Sequence, residues 1–321
     1  MYSTNRYLNF AEQVAALKEL GITFEGRFSE RTAQSYLRDN NSFFRLSSYC
    51  GSFEHTIDPE TGKQRFQGVG FEQLVDLSVI DFRLREILLH LILHIEHHLK
   101  IHLQHILRVN RTDPYEVVKS FKNQAGFDLL RELEQASRSD YSGDVYAEYE
   151  PDIPSWVMLE LLQLGQLQSF VGFLRFRSEA DTAISTDLPS IFYELTSVRS
   201  LRNAAAHNTG ILNGLLIKDE RELSDRIHNE LVEARDADGV YIFDEEEFED
   251  TNMSRALKDI TSALYLHHEL VSSPGVKESI AKRLAELRER FFKRISYPED
   301  SAVGEAFSFM ERLIDLWHPL D

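Results

Sequence analysis

A single cysteine, Cys50, stands among 321 residues. One thiol cannot build an intramolecular disulfide framework, and it leaves no sulfur-rich metal site. Glycine and proline are also scarce, at 15 and 8, and the alternation of β-branched residues that marks strands is nearly missing. No stretch approaches the ~18 apolar residues of a membrane span, and residues 1–13 hold no apolar signal core. These absences point to a reduced, cytoplasmic compartment with no membrane partner. Basic charge is short as well: 35 Lys and Arg against 53 Asp and Glu give −18 at pH 7. A protein that binds DNA generally, by salt-driven contact with phosphates, needs a basic footprint and is excluded. What remains is a globular chain, since 42% hydrophobic residues with 27% charged ones can form a core.

Helical spacing occupies the ground that strands leave empty. Residues 10–21 carry Val14, Leu17 and Leu20 on one face and stop at Gly21. Ser29 is placed to cap a second helix through Ala33, Tyr36 and Leu37, which Asn40 and Asn41 break. An aromatic segment follows at 43–49, then a turn or loop at 58–62. Residues 71–108 hold neither Gly nor Pro, and their length of ~57 Å as one helix predicts a kink or break. The apolar stripe there is Leu77, Ile80, Leu84, Leu88, Leu91, Ile95, Leu99, Leu103 and Ile106. Another helix is expected over 154–173, with Trp156, Leu159, Leu162 and Leu167 repeating. The next starts near Asp187 with Pro189 in its first turn, turns Ile191, Leu195 and Val198 inward, and closes near Thr209 and Gly210. Residues 231–251 hold nine acids against Arg235 alone, with a short strand expected at 239–243. Helices at 253–272, 275–295 and 303–317 complete an all-α bundle. One helical domain is expected over 1–215, with 216–321 packed on the same globule as an acidic segment and C-terminal helices.

Histidine is the most visible candidate chemistry. His90, His94, His97, His98, His102 and His105 lie within 16 residues, and the pairs 90/94, 94/98 and 98/102 have the spacing to share a divalent metal. No Glu stands in the order that a zinc-protease helix requires, and most of the rings fall on one flank of the apolar stripe. A pH-sensitive boundary layer against a neighbouring helix or subunit is the expectation, with no native metal. On another flank, Glu96 and Lys100 form an i,i+4 pair. The segment 198–208, VRSLRNAAAHN, is the strongest. Arg199, Arg202 and His207 share about two turns, with alanines between them that let another surface approach closely. A guanidinium forks onto phosphate oxygens, and a histidine moves protons near neutrality. Together they are the parts for cutting RNA without metal. On an ideal helix Arg202 and His207 stand about 140° apart. Convergence therefore needs a distorted helix end, a wrapping Arg side chain or a second copy across a two-fold axis. A purely structural helix end is the competing reading.

Several ordered motifs resemble the Abi-like (abortive infection) proteins of bacteria, in the HEPN superfamily. They are Phe10-x2-Gln13 with Leu17-Lys18-x2-Gly21; the run Asn41-Ser42-Phe43-Phe44-Arg45-Leu46-Ser47-Ser48-Tyr49; and Phe71-x2-Leu74-x2-Leu77 with Asp81-x2-Leu84-Arg85 and Ile95-Glu96-x3-Lys100. Pro154-Ser155-Trp156-x3-Glu160-x4-Gly165 follows, and Arg199-x2-Arg202-Asn203 with Ala205-Ala206-His207 closes the set. The resemblance implies a HEPN-like helical bundle that dimerises, joining two Arg-x4–6-His motifs into a metal-independent endoribonuclease site without cofactor. It also implies a phage-defence or toxin–antitoxin setting, with RNA as substrate and an antitoxin protein or RNA as possible partner. Carried over, Arg202 and His207 are the catalytic pair and Asn203 orients one of them or the phosphate. Arg199, Asn208, Glu96 and Lys100 bind RNA or support the site. A non-catalytic HEPN module, binding RNA or a nucleotide or acting as a dimeric scaffold, is the alternative. This chain departs from the family pattern at Asn208, where a second His is common, and at Ser48, where Gly is usual. It also has Lys100 where Arg is more common.

Overall fold

The computed structural model describes residues 6–59, 62–125, 133–180, 188–248 and 253–320. The architecture is an all-α bundle. Helices α1 (Phe10–Glu19) and α2 (Glu30–Asp39) pack together at the N-terminal end. Asn9 and Glu12 form a reciprocal capping box on α1, and the Ser29 hydroxyl accepts the Thr32 N–H on α2. The aromatic segment folds as α3 (Phe43–Ser48) and runs into a 3-10 turn (Tyr49–Ser52). A small antiparallel hairpin, β1 (His55–Ile57) with β2 (Gln64–Phe66), was not legible. Its strands are three residues each and bury only Phe66, so they carry no alternating pattern to read.

Helix α4 (Phe71–Val109) is continuous through 39 residues, so the expected break is absent. Neither Gly nor Pro interrupts it. Packing supports it along its length: α9 (Leu188–Ala206), α12 (Arg255–Leu270) and α13 (Pro274–Phe291) all lie against it. All nine residues of the predicted stripe are buried. Between these come α5 (Pro114–Ala125) and α6 (Gly143–Tyr149).

The helix expected over 154–173 is two helices, α7 (Ser155–Leu161) and α8 (Leu164–Ala180). Leu162 is extended, with ψ 136°, and Lys100 Nζ donates to the Glu160 carbonyl at 3.1 Å, satisfying an oxygen that the helix end leaves open. The change of direction buries Leu159, Leu162, Leu164 and Leu167, but it leaves Trp156 45% exposed, edge-on to Tyr115. Trp156 is therefore not a core residue. Helix α9 does carry Pro189 in its first turn and buries Ile191, Leu195 and Val198. It runs antiparallel to α4: Ile191 shares a cavity with His102, while Asn208 reaches Arg85.

Beyond α9 come α10 (Asp225–Glu233) and α11 (Glu245–Phe248). The expected strand at 239–243 is absent. A lone bridge between Arg235 and Tyr241 closes a turn at Gly239, whose φ of +80° suits glycine. Buried Phe243 and Phe248 pin this acidic stretch, and Arg312 of α14 (Ala302–Trp317) donates to both Glu247 oxygens at 2.7 and 2.9 Å. A buried pair of Asp76 with Arg290 fastens α13 to α4, and Tyr297 adds a 3.3 Å bond to the same carboxylate. Among the described residues no helix is long and apolar enough to cross a membrane.

The histidine helix faces α12 and the C-terminal turn. His267 Nε2 and His94 Nδ1 are 3.4 Å apart, and the His267 and His318 rings are 5.1 Å apart. No group of three or more His, Cys, Asp or Glu among the described residues is arranged to hold a metal ion. Burial lowers His94 and His98 below the usual imidazole range, takes His267 down to about 2 and takes His318 to about 4. Lys277 and Arg283 add repulsion in the same sense. These rings are neutral in the folded chain and charge more readily once unfolded, so their stabilising contribution is full above pH ~6.5 and falls as pH drops below it. Urea midpoints should fall between pH 7 and pH 5. His267→Gln should lower the midpoint at pH 7 yet flatten that fall; parallel slopes for variant and parent would contradict this account.

Candidate functional site

The C-terminal end of α9 is built on a buried carboxylate. Asp81, fully shielded from solvent, accepts four hydrogen bonds. Oδ1 takes the N–H groups of Ile211 and Leu212, each at 2.7 Å; Oδ2 takes the Tyr49 hydroxyl at 2.9 Å and Arg85 Nε at 2.8 Å. Burial, then the Asp81 charge, raises the Tyr49 hydroxyl far above the usual phenol range, so it stays a donor. The chain after α9 is gripped a second time by Ser52, which donates to the Leu212 carbonyl at 2.6 Å and accepts the Leu215 N–H at 3.3 Å. Gly51 is required in that turn, because a Cβ there would stand 2.7 Å from the Asn213 carbonyl oxygen.

Helix α9 itself ends in a two-bond cap. The Thr209 N–H reaches the Ala204 carbonyl at 2.7 Å and the Asn208 N–H reaches Ala205 at 3.1 Å, while Asn208 adopts φ +56°. This is the Schellman arrangement with asparagine in the left-handed position. The terminator is therefore Asn208 and not the expected Thr209–Gly210 pair. Two arginines clamp it. Arg45 donates to the Asn208 side chain at 3.1 Å and to its carbonyl, and Arg85 donates to the same side-chain oxygen. Arg45, Tyr49, Asp81 and Arg85 all sit inside the motifs quoted above, but the contacts that join Arg45, Asp81 and Arg85 to Asn208, Ile211 and Leu212 span 123 to 163 residues of chain, and spacing alone does not assign them.

On this scaffold the candidate residues divide. Arg202 is half-buried; Asn203 and His207 are exposed. None of the three side chains makes a hydrogen bond or ion pair among the described residues. No hydrogen bond joins Arg202 to His207 among the described residues. At 100° per residue they mark two sides of the outer face of α9, with Ala206, Arg199 and Asn203 between them. Arg199 is held by Gln168 Oε1 at 3.3 Å. Asn208 is turned into the arginine clamp. Glu96 and Lys100 stand 3.5 Å apart about three turns along α4 from Arg85, and Lys100 is engaged at α7. No hydrogen bond or ion pair connects either of them to Arg202, Asn203 or His207. Cys50 is buried, and its thiol is pushed up to about 12.

A family model described as Abi-like protein matches residues 36–213, more than half of the chain. The chain belongs to the Abi-like family. No curated protein and no solved structure matches it. The Abi-like match takes in the whole assembly around Asp81, from Arg45 through Leu212, together with Arg202 and His207. The helices from α10 onward lie beyond it.

Removing the Asp81 carboxylate leaves Arg85 buried without its counter-charge and two N–H groups without an acceptor. Asp81→Ala should cost about 3–5 kcal/mol in urea unfolding. At Asn208, Gly keeps the left-handed backbone and loses only the clamp, whereas Ala loses both. Asn208→Ala should therefore be less stable than Asn208→Gly by about 1 kcal/mol; equal losses would show that backbone conformation does not matter there.

Proposed function

We propose that this Abi-like protein is an abortive-infection, phage-defence endoribonuclease of HEPN type that cuts RNA without metal at its Arg-x4-His motif. One observation carries the proposal: a satisfied buried network fixes the end of α9, and on that end the side chains of Arg202, Asn203 and His207 make no hydrogen bond or ion pair among the described residues. Rigid support with open polar groups is what a reacting phosphate requires. The step needs a base to take the proton from a 2′-hydroxyl while its oxygen attacks phosphorus. It also needs an acid to protonate the departing 5′-oxygen, leaving a 2′,3′-cyclic phosphate and a 5′-hydroxyl end. His207 of two copies supplies base and acid, Arg202 carries the charge that builds on the phosphorane, and Asn203 orients the phosphate. The 140° between Arg202 and His207 favours completion by a second copy over convergence within one. Exposed Phe82 and Leu93 on α4, together with Phe44 beside the Arg45 clamp, offer apolar surface for that homodimer. An antitoxin that covers the same face would keep the protein silent.

The same separation also favours a second reading, a HEPN module that binds RNA or a nucleotide without cutting it. Purified protein incubated with RNA in EDTA decides between them. Wild type should cleave and leave cyclic-phosphate ends, and Arg202→Ala and His207→Ala should each lower the rate at least ~100-fold. Both variants should keep the parent melting temperature, since neither side chain has a partner to lose. Equal cleavage by parent and variants would sink the assignment. Light scattering that returns a strict monomer would remove the composite site.

A further inference from the structure

The outer face of α9 continues well past the Arg–His end. Tyr193, Thr196, Ser200, Asn203 and His207 recur at steps of three and four, so they form one straight stripe within an arc of about 80°. The stripe runs about 21 Å from Tyr193 to His207 on the helical rise. All its members are exposed except Ser200, which is half-buried.

At the far end of the stripe lies an aromatic patch shared with α8. Tyr193 is 58% exposed and Phe176 61% exposed. The Arg175 guanidinium ties them together, lying 5.2 Å from the Tyr193 ring centre, 5.6 Å from Phe176 and 5.7 Å from Phe192. Gly172 makes room for this packing, since a Cβ there would stand 2.9 Å from the Phe192 ring. Arg177 lies beside the patch over Phe173. Between patch and cap stands Arg199, oriented by Gln168, which also donates to Thr196 Oγ1 at 2.8 Å.

The charge of this face is opposite to that of the chain. Over 164–180 and 188–207 there are four arginines, Arg175, Arg177, Arg199 and Arg202, against two acids, Glu179 and Glu194. Glu194 is buried on the inner side of α9, accepting from the Ser190 and Ser224 hydroxyls at 2.7 and 2.8 Å. In a protein of −18, two adjacent helices thus carry more arginine than acid, together with exposed aromatic rings. Arginine along a track with exposed rings at one end is the chemistry that holds unpaired bases and their phosphates. A duplex keeps its bases stacked on each other and offers no free face to Tyr193 or Phe176.

We propose that the α8–α9 face is a single-stranded RNA track. An unpaired base a few nucleotides from the scissile phosphate stacks on Tyr193 and Phe176, and Arg199 holds the backbone between them. This rests on the reading that the Arg202–His207 end takes RNA, and it adds a subsite remote from the chemistry.

The test is binding by the His207→Ala protein of a labelled single-stranded RNA and of the same sequence annealed as a duplex. The single strand should bind more tightly than the duplex. Adding Tyr193→Ala and Phe176→Ala should weaken single-strand binding about tenfold or more and leave duplex binding unchanged. Both rings are exposed, so circular dichroism and melting temperature should match the parent. Arg199→Gln should weaken both forms and reduce the salt dependence. Unchanged single-strand affinity in the double aromatic variant would overturn the track, as would a duplex bound as tightly as the single strand. Cleavage by wild type in EDTA separates the two proposals. Cutting with no effect of the aromatic variants on binding leaves the nuclease and removes the track. Aromatic-dependent binding with no cutting leaves the track and removes the nuclease.

Discussion

Asp81 is the residue from which the rest of the site is built. A carboxylate shut away from water is costly unless its oxygens are met by donors. Here each oxygen has two: Arg85 comes from the next turn of the same helix, while Tyr49 and the amides of Ile211 and Leu212 come from elsewhere in the chain. The 3-10 turn, the central helix and the segment after α9 are thus fixed to one another through a single group. Losing any one member leaves another buried polar atom unmet, so the penalties are shared and not local. Asn208 then lies one bond from Arg85, and Arg45 one bond further. The direction in which α9 presents His207 is set by this chain of bonds.

A second buried carboxylate on the same helix does the corresponding work for the C-terminal half. Asp76 takes Arg290 and Tyr297, and Arg221 bridges Asp219 and Asp259 at the base of α12. Helix α4 therefore acts as a common rail, with Asp81 holding the α9 end and Asp76 holding α13. The histidines occupy the seam between those attachments. His94, His267 and His318 are packed where the apolar stripe of α4 gives way to α12 and the last turn, and burial keeps them neutral. Their role is structural and conditional on pH, and the close i,i+4 spacing on α4 reflects which flank faces α12.

Periodicity was readable wherever a helix buries one continuous stripe. The apolar positions of α4, the cap at Ser29, and the three C-terminal helices follow from residues within one or two turns of each other. What could not be read depends on contacts across the chain. The break at Leu162 is stabilised by Lys100, sixty residues earlier, and with it Trp156 leaves the core. The end of α9 at Asn208 depends on two arginines 123 and 163 residues away. In isolation that asparagine reads as a missing histidine, although its left-handed backbone and two clamped acceptors explain its presence. The Arg202–His207 pair was readable as a motif but not as geometry, since 140° on an ideal helix does not say how the two side chains would come together.

That angle constrains how anything can use the site. A ligand touching both Arg202 and His207 must cross the outer face of α9 over Ala206 and Asn203, where side chains are small or polar and the backbone is close. One touching the arginines and the aromatic rings must instead run along the helix. The two directions intersect at Asn203, which makes the face a junction of a short crossing and a longer track. Elsewhere the surface is acidic, and few arginines are available to neutralise phosphates, so charge alone supplies little affinity. On the proposed reading, discrimination then falls to contacts that depend on the form of the nucleic acid, namely free base faces and an accessible 2′-hydroxyl. Under that proposal, an acidic chain that concentrates arginine and open aromatic rings on two adjacent helices selects among RNAs and does not coat them.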